Sequence, residues 1–171
     1  VGNFAVAANW VRDQINRIVA MKPFLITFNL LSGLLLSRFT ISKFAAWPES
    51  VAGFVDMAKP IGIDPTFFRI TTGFIIGYAM IAMITNGLLL FLKQRSTKLE
   101  LLFSFNGLYV AGAMVGALVS EFGLRSTAKW PLVYIAIGIL VVAAVNLLSG
   151  YGRFPWIQQD PSKTSAVAGA E

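Results

Sequence analysis

The chain has 171 residues, of which 56% are hydrophobic and only 13% charged, with a mean hydropathy of +0.71; a soluble domain of this size is not expected to carry so much apolar surface. Its net charge of +6 fits Lys and Arg at helix ends beside lipid phosphates, and no basic stripe leads into a groove-reading motif, which argues against a nucleic-acid partner. Cys and His are both absent, which excludes disulfides, thiol redox chemistry, Cys/His zinc sites and His-ligated haem, so no metal or haem is expected on the chain's own ligands.

Residues 1–22 read as an interfacial amphipathic helix. Phe4, Ala7, Ala8, Val11, Ile15, Ile18 and Val19 make one apolar face, Arg12, Asp13, Asn16 and Arg17 fall largely off it, and Trp10 lies at the same level. Pro23 opens a transmembrane domain over residues 23–150, an all-α bundle of four spans. The first span runs from Phe24 to Lys43, and roughly 20 residues at about 1.5 Å each cross a hydrocarbon core. The stretch from Arg38 to Pro65 is charged and broken by prolines, and reads as a turn outside the membrane with a short amphipathic helix at its centre. Pro48 suits the first turn of that helix. Val51, Phe54, Val55 and Ala58 recur at helical spacing, and Pro60, Gly62 and Pro65 end it.

The second span runs from Phe67 to Leu92, the third from Leu99 to Glu121, and the fourth from Trp130 to Ser149. Residues 151–171 form a polar tail, expected to be disordered unless a partner holds it. Of the 14 Lys and Arg, six (Arg38, Lys43, Lys59, Arg69, Arg125 and Lys129) fall on the side of the Arg38–Pro65 turn and the rest on the side of the termini. That balance favours cytoplasmic termini, in a bacterial inner membrane.

Each span holds one asparagine: Asn29, Asn86, Asn106 and Asn146. All four lie about two turns from the terminal-side end of their spans, roughly 10 Å below that surface. The plain expectation is interhelical hydrogen bonding, worth on the order of 1 kcal/mol per bond. The sharper one is a polar layer that binds a quinone carbonyl, a pigment or water. Gly73 and Gly77 form one GxxxG, and Gly112 and Gly116 another, both suited to close helix packing within the bundle or against another integral membrane subunit. Arg38, about five residues before the end of the first span, must snorkel or pair, with Glu121 as the candidate partner. Lys43, Arg69 and Asp56 complete a charged cluster, read either as a structural ion pair or as a site for an anionic substrate or lipid headgroup. The openings FNLLSG at Phe28–Gly33 and FNGLYVAG at Phe105–Gly112, with NGLLLF and NLLSG in the returning spans, hint at two helix hairpins in parallel repeat.

Gly33 followed by ISKF with Lys43, the short amphipathic helix, the IGIDP entry at Ile61–Pro65 and the glycines of the second span together resemble the DoxX-like family of small four-helix membrane proteins. The resemblance covers residues 24–149 in topology and 24–90 in motif. It implies proximity to a quinone-linked chain, since the family includes membrane subunits linked to thiosulfate:quinone oxidoreduction and to quinol oxidases. Many members carry a Glu beside the second-span glycines, where this chain has only Phe74, Ile75 and Ile76. The sequence therefore supports two readings. The first is a non-catalytic accessory subunit of a larger membrane complex, of a respiratory or photosynthetic electron-transfer chain, packed among lipids and other integral subunits. The second is a quinone-linked or small-molecule-binding membrane protein using the Arg38 cluster. A quinone, lipid or pigment would then lie at a shared interface.

Overall fold

The structure, a computed structural model, describes the backbone of residues 2–92 and 96–149 and the side chains of residues 23–92 and 96–148. Every regular element among them is helical: α1 (Gly2–Phe44), α2 (Pro48–Ala58), a single 3-10 turn (Lys59–Ile61), α3 (Pro65–Leu92), α4 (Thr97–Gly123) and α5 (Trp130–Ser149). Four segments are long and apolar enough to cross a membrane, Pro23–Phe44, Pro65–Leu92, Thr97–Gly123 and Trp130–Leu148. Their outward faces carry large apolar side chains such as Leu34, Phe74, Phe91, Leu101 and Leu148. Water would not tolerate such a surface and a bilayer requires it, so the protein is integral to a membrane.

One boundary differs from expectation. The backbone of α1 continues through Pro23 without a break. A proline removes one helical hydrogen bond and crowds the preceding turn, which bends a helix without having to end it. The interfacial placement of residues 1–22 concerns side chains outside the described residues, and so does the tail.

Local chemistry sets the other ends. Pro48 occupies the first turn of α2, with Glu49 beside it at the positive end of the helix. The 3-10 turn closes on Gly62, whose φ of 67° is the left-handed conformation that glycine adopts without cost. Asp64 then caps α3, its Oδ1 accepting the Phe67 N–H at 2.7 Å. Asp64→Ala should lower stability by about 1 kcal/mol, as N-cap deletions do, and thermal unfolding in mild detergent would register it.

The bundle is built from two hairpins. α1 packs on α3 and α4 on α5, α3 and α4 join the hairpins, and α1 touches α5 only narrowly. Close approach within the first hairpin depends on glycine: a Cβ at Gly33 would lie 2.5 Å from Ile84 Cγ1, and one at Gly73 would lie 3.1 Å from the Phe44 ring. Gly77 faces Thr40 of α1 in ordinary contact. Lipid tails are as apolar as the helices, so this tight van der Waals contact, not burial from water, holds them together.

The asparagines tie the hairpins to each other. Asn29 and Asn146 exchange two hydrogen bonds, at 2.8 and 3.2 Å, joining α1 to α5. Asn106 donates to Asn86 at 3.0 Å, joining α4 to α3. The residues that follow them match in the same way. Gly87 meets Leu30 within the first hairpin, and Gly107 meets Leu147 within the second. Exchanging the hairpins therefore maps each asparagine pair onto the other, and each glycine–leucine contact onto the other with the two residue types swapped.

Candidate functional site

Towards the α2 end the four spans no longer close on one another. A cavity of about 590 Å³ lies there, with walls that include Leu36 and Phe39 of α1, Phe68 and Ile76 of α3, Met114 of α4 and Ala136 of α5. Phe54 and Met57, both buried on the inner face of α2, cover it. The short amphipathic helix is thus the roof of an apolar chamber, which it meets through Phe54 and Met57, whereas Val51 and Val55 of the expected apolar stripe are exposed. The volume falls within the roughly 300–1,000 Å³ of small-molecule sites.

The cavity has one polar end. Lys43, Glu121 and Arg125 line it beneath the roof. Glu121 and Arg125 sit one helical turn apart in sequence, and Arg125 Nη1 lies 3.1 Å from Glu121 Oε1, with both side chains at least nine-tenths buried. The same carboxylate oxygen accepts the backbone N–H of Lys129 at 2.6 Å, just before α5 begins. Glu121 therefore also sits at the positive end of α5. The Arg125 guanidinium leans over Gly53 of α2, where a Cβ would lie 2.7 Å from its Nη2. Lys43 is 9% exposed, and its Nζ lies 5.4 Å from the centre of the Phe54 ring and 6.0 Å from that of Phe39. Such cation–π contacts suit an ammonium held among apolar groups.

Between α3 and α4 the wall is open. Gly112 and Gly116 line the cavity and are exposed, and a Cβ built on either meets no described residue within 4 Å. Below them Tyr109 donates to the Ile75 carbonyl at 3.3 Å and packs edge-on against Tyr78 at 4.5 Å, closing the gap on the side of the asparagine layer. An opening at this depth faces lipid, so the chamber communicates sideways with the bilayer.

The expected cluster is rearranged. Lys43 and Glu121 come to the cavity. Arg69 is buried behind it and donates through Nη1 to the Lys43 carbonyl, satisfying one of the last carbonyls of the α1 helix. Asp56 faces outward and accepts from Ser126 twice, from the backbone N–H at 3.1 Å and the hydroxyl at 2.9 Å, latching α2 to the α4–α5 loop. Arg38 is exposed and does not reach Glu121, whose ion pair is with Arg125. The four asparagines are buried, bonded among themselves and to the Leu25 and Phe103 carbonyls, and line neither this cavity nor the apolar groove between α1 and α5. Gly73 and Gly77 pack on α1, whereas a Cβ at Gly112 or Gly116 would meet no described residue. No group of His, Cys, Asp and Glu capable of holding a metal occurs among the described residues. Sequence reasoning missed Arg125 as a site residue, although a cation in the short loop just after Glu121, at the end of the third span, was the available signal.

The Ser126 hydrogen bonds, the backbone one first, hold the Asp56 carboxyl below its ordinary value of 3.8. A depressed carboxylate contributes stability above its unfolded pKa and loses it as pH falls through the folded value. The latch should therefore hold from neutral pH down to about pH 4 and release below it. Amide-exchange protection in α2 would show this, and Asp56→Asn should lower that protection already at neutral pH.

No family model, curated protein or solved structure matches the chain.

Proposed function

We propose that this protein is a membrane-embedded binding protein that takes a single amphiphilic molecule from the bilayer into the chamber beneath α2. The observation that carries this reading is the form of the chamber: apolar walls, an opening towards lipid at Gly112 and Gly116, and a buried charged end at Lys43, Glu121 and Arg125. A tail would lie between the spans, and a polar head would meet the charges under the roof. The chamber offers no paired carboxylates and no His for acid–base work, so binding, sequestering or presenting the molecule is the role that fits, on its own or as a subunit.

The test is saturable binding of a labelled single-chain amphiphile to the protein in neutral detergent, compared with Gly116→Trp. Position 116 has open space around it, so the indole should fill the mouth of the cavity without disturbing the fold. Binding should disappear in the variant while the melting temperature stays unchanged. Absence of saturable binding, or equal binding in both proteins, would refute the proposal.

An accessory subunit of an electron-transfer complex, the other reading of the sequence, draws on the missing ligands and proton relay alone. It predicts partner subunits that co-purify at fixed stoichiometry. A quinone-linked role, implied by the DoxX-like resemblance, predicts that a neutral quinone competes for the chamber.

A further inference from the structure

The charges at the polar end do not balance. Among the side chains that line the cavity, two cations, Lys43 and Arg125, face one carboxylate, Glu121, and all three are buried; Arg69, a further buried cation, lies behind the wall and donates to the Lys43 carbonyl. The Lys43 ammonium makes no hydrogen bond or ion pair with any described residue. Arg125 is only partly engaged. Its Nη1 is within ion-pair distance of Glu121, but neither Nη1 nor Nε has a hydrogen-bond partner in geometry, and both atoms are buried. Asp56 lies near Arg125 on the outer side, but its carboxylate is at the surface and committed to Ser126. A buried cation with unused donors is costly unless an anion completes it.

We infer that the chamber binds an amphiphile with a monoanionic head, a fatty carboxylate in the simplest case, whose oxygens take the free Arg125 donors and the Lys43 ammonium. This rests on the binding role proposed above and specifies its ligand. Among the lining side chains, with Arg69 behind the wall already held by the Lys43 carbonyl, the excess is one positive charge, which a monoanion neutralises. A neutral quinone or an ester would leave it in place. The tail contributes little to selectivity, because it is as well solvated by lipid as by Leu36, Phe39 and Ile76. The head decides, through charge-assisted hydrogen bonds in a dry setting. The open side at Gly112 and Gly116 lets such a molecule enter tail and head together from the bilayer leaflet on the α2 side.

The experiment is equilibrium binding to the purified full chain in neutral detergent, with oleate, methyl oleate, lysophosphatidate and a neutral quinone as probes. Oleate should bind at one per chain, and methyl oleate and the quinone at least about tenfold more weakly. Lysophosphatidate should also bind less well than oleate; the reverse order would overturn the monoanion assignment. Lys43→Met should weaken oleate by about tenfold and leave methyl oleate unchanged. Lys43 has no partner among the described residues to be orphaned by its loss, so this variant should fold, and Arg125→Lys, which keeps the charge, should retain part of the affinity that Arg125→Met loses. If oleate and methyl oleate bind equally, and Gly116→Trp blocks both, the chamber is a binding site but the anionic head is wrong. If no probe binds, the binding role itself fails.

Discussion

Gly33→Ala should lower stability by about 2 kcal/mol, as overpacking of a tight contact does, and Ile84→Ala should restore much of the loss. The new methyl group would lie 2.5 Å from Ile84 Cγ1 and 3.3 Å from the Met80 carbonyl oxygen, so α1 and α3 must separate unless the isoleucine yields. Gly87→Ala, against Leu30 at 2.9 Å, and Gly107→Ala, against Leu147 at 3.1 Å, should cost less than Gly33→Ala, because each leucine side chain has only to shift by a few tenths of an ångström. Alanine at Gly112 or Gly116 should instead raise stability. No described residue lies within 4 Å of a Cβ there, and replacing a helical glycine gains up to about 1 kcal/mol of propensity. Thermal unfolding of this series in mild detergent separates the glycines that make contacts from those that leave a gap. A loss at Gly116 equal to that at Gly33 would mean that its face is packed.

The second large effect is expected at Glu121. Glu121→Ala removes the carboxylate that, among the described residues, lines the polar end, leaves Arg125 and Lys43 buried together, and also frees the Lys129 N–H. Breaking a buried pair from one side typically costs about 3–5 kcal/mol, because the remaining charge has no partner. Combining Glu121→Ala with Arg125→Met should recover a large part of that loss. By contrast, Arg38→Gln should change stability little, since Arg38 is exposed and has no ion pair among the described residues. An Arg38 effect as large as that of Glu121 would mean that the charge at position 38 is engaged after all.

The spans were legible because a bilayer demands long apolar helices, a constraint stronger than any soluble fold imposes. The common depth of the four asparagines could be counted along the chain. Their pairing could not, because it depends on which helices are neighbours, and only the repeat hinted at it. Arg38 was misplaced for a reason the sequence contained. Leu36, Phe39 and Lys43 recur at three and four residues and share the cavity face. Arg38 lies about half a turn of the helix away from Leu36. Depth alone had paired it with Glu121, and rotation about the helix axis separates them. Gly112 and Gly116 show the limit of a motif. A small residue permits either a close contact or a gap, and spacing cannot distinguish them. The chamber itself is lined by α1 to α5 together, a tertiary arrangement with no local signature.

The claim that the space beneath α2 is a ligand site is tested most directly by weighing the intact protein. The chain should be released from its native membranes in a gentle detergent and measured by native mass spectrometry beside Gly116→Trp. One apolar adduct of defined mass per chain, absent from the variant, is the predicted result. A bare chain, or an adduct carried equally by both proteins, would contradict it.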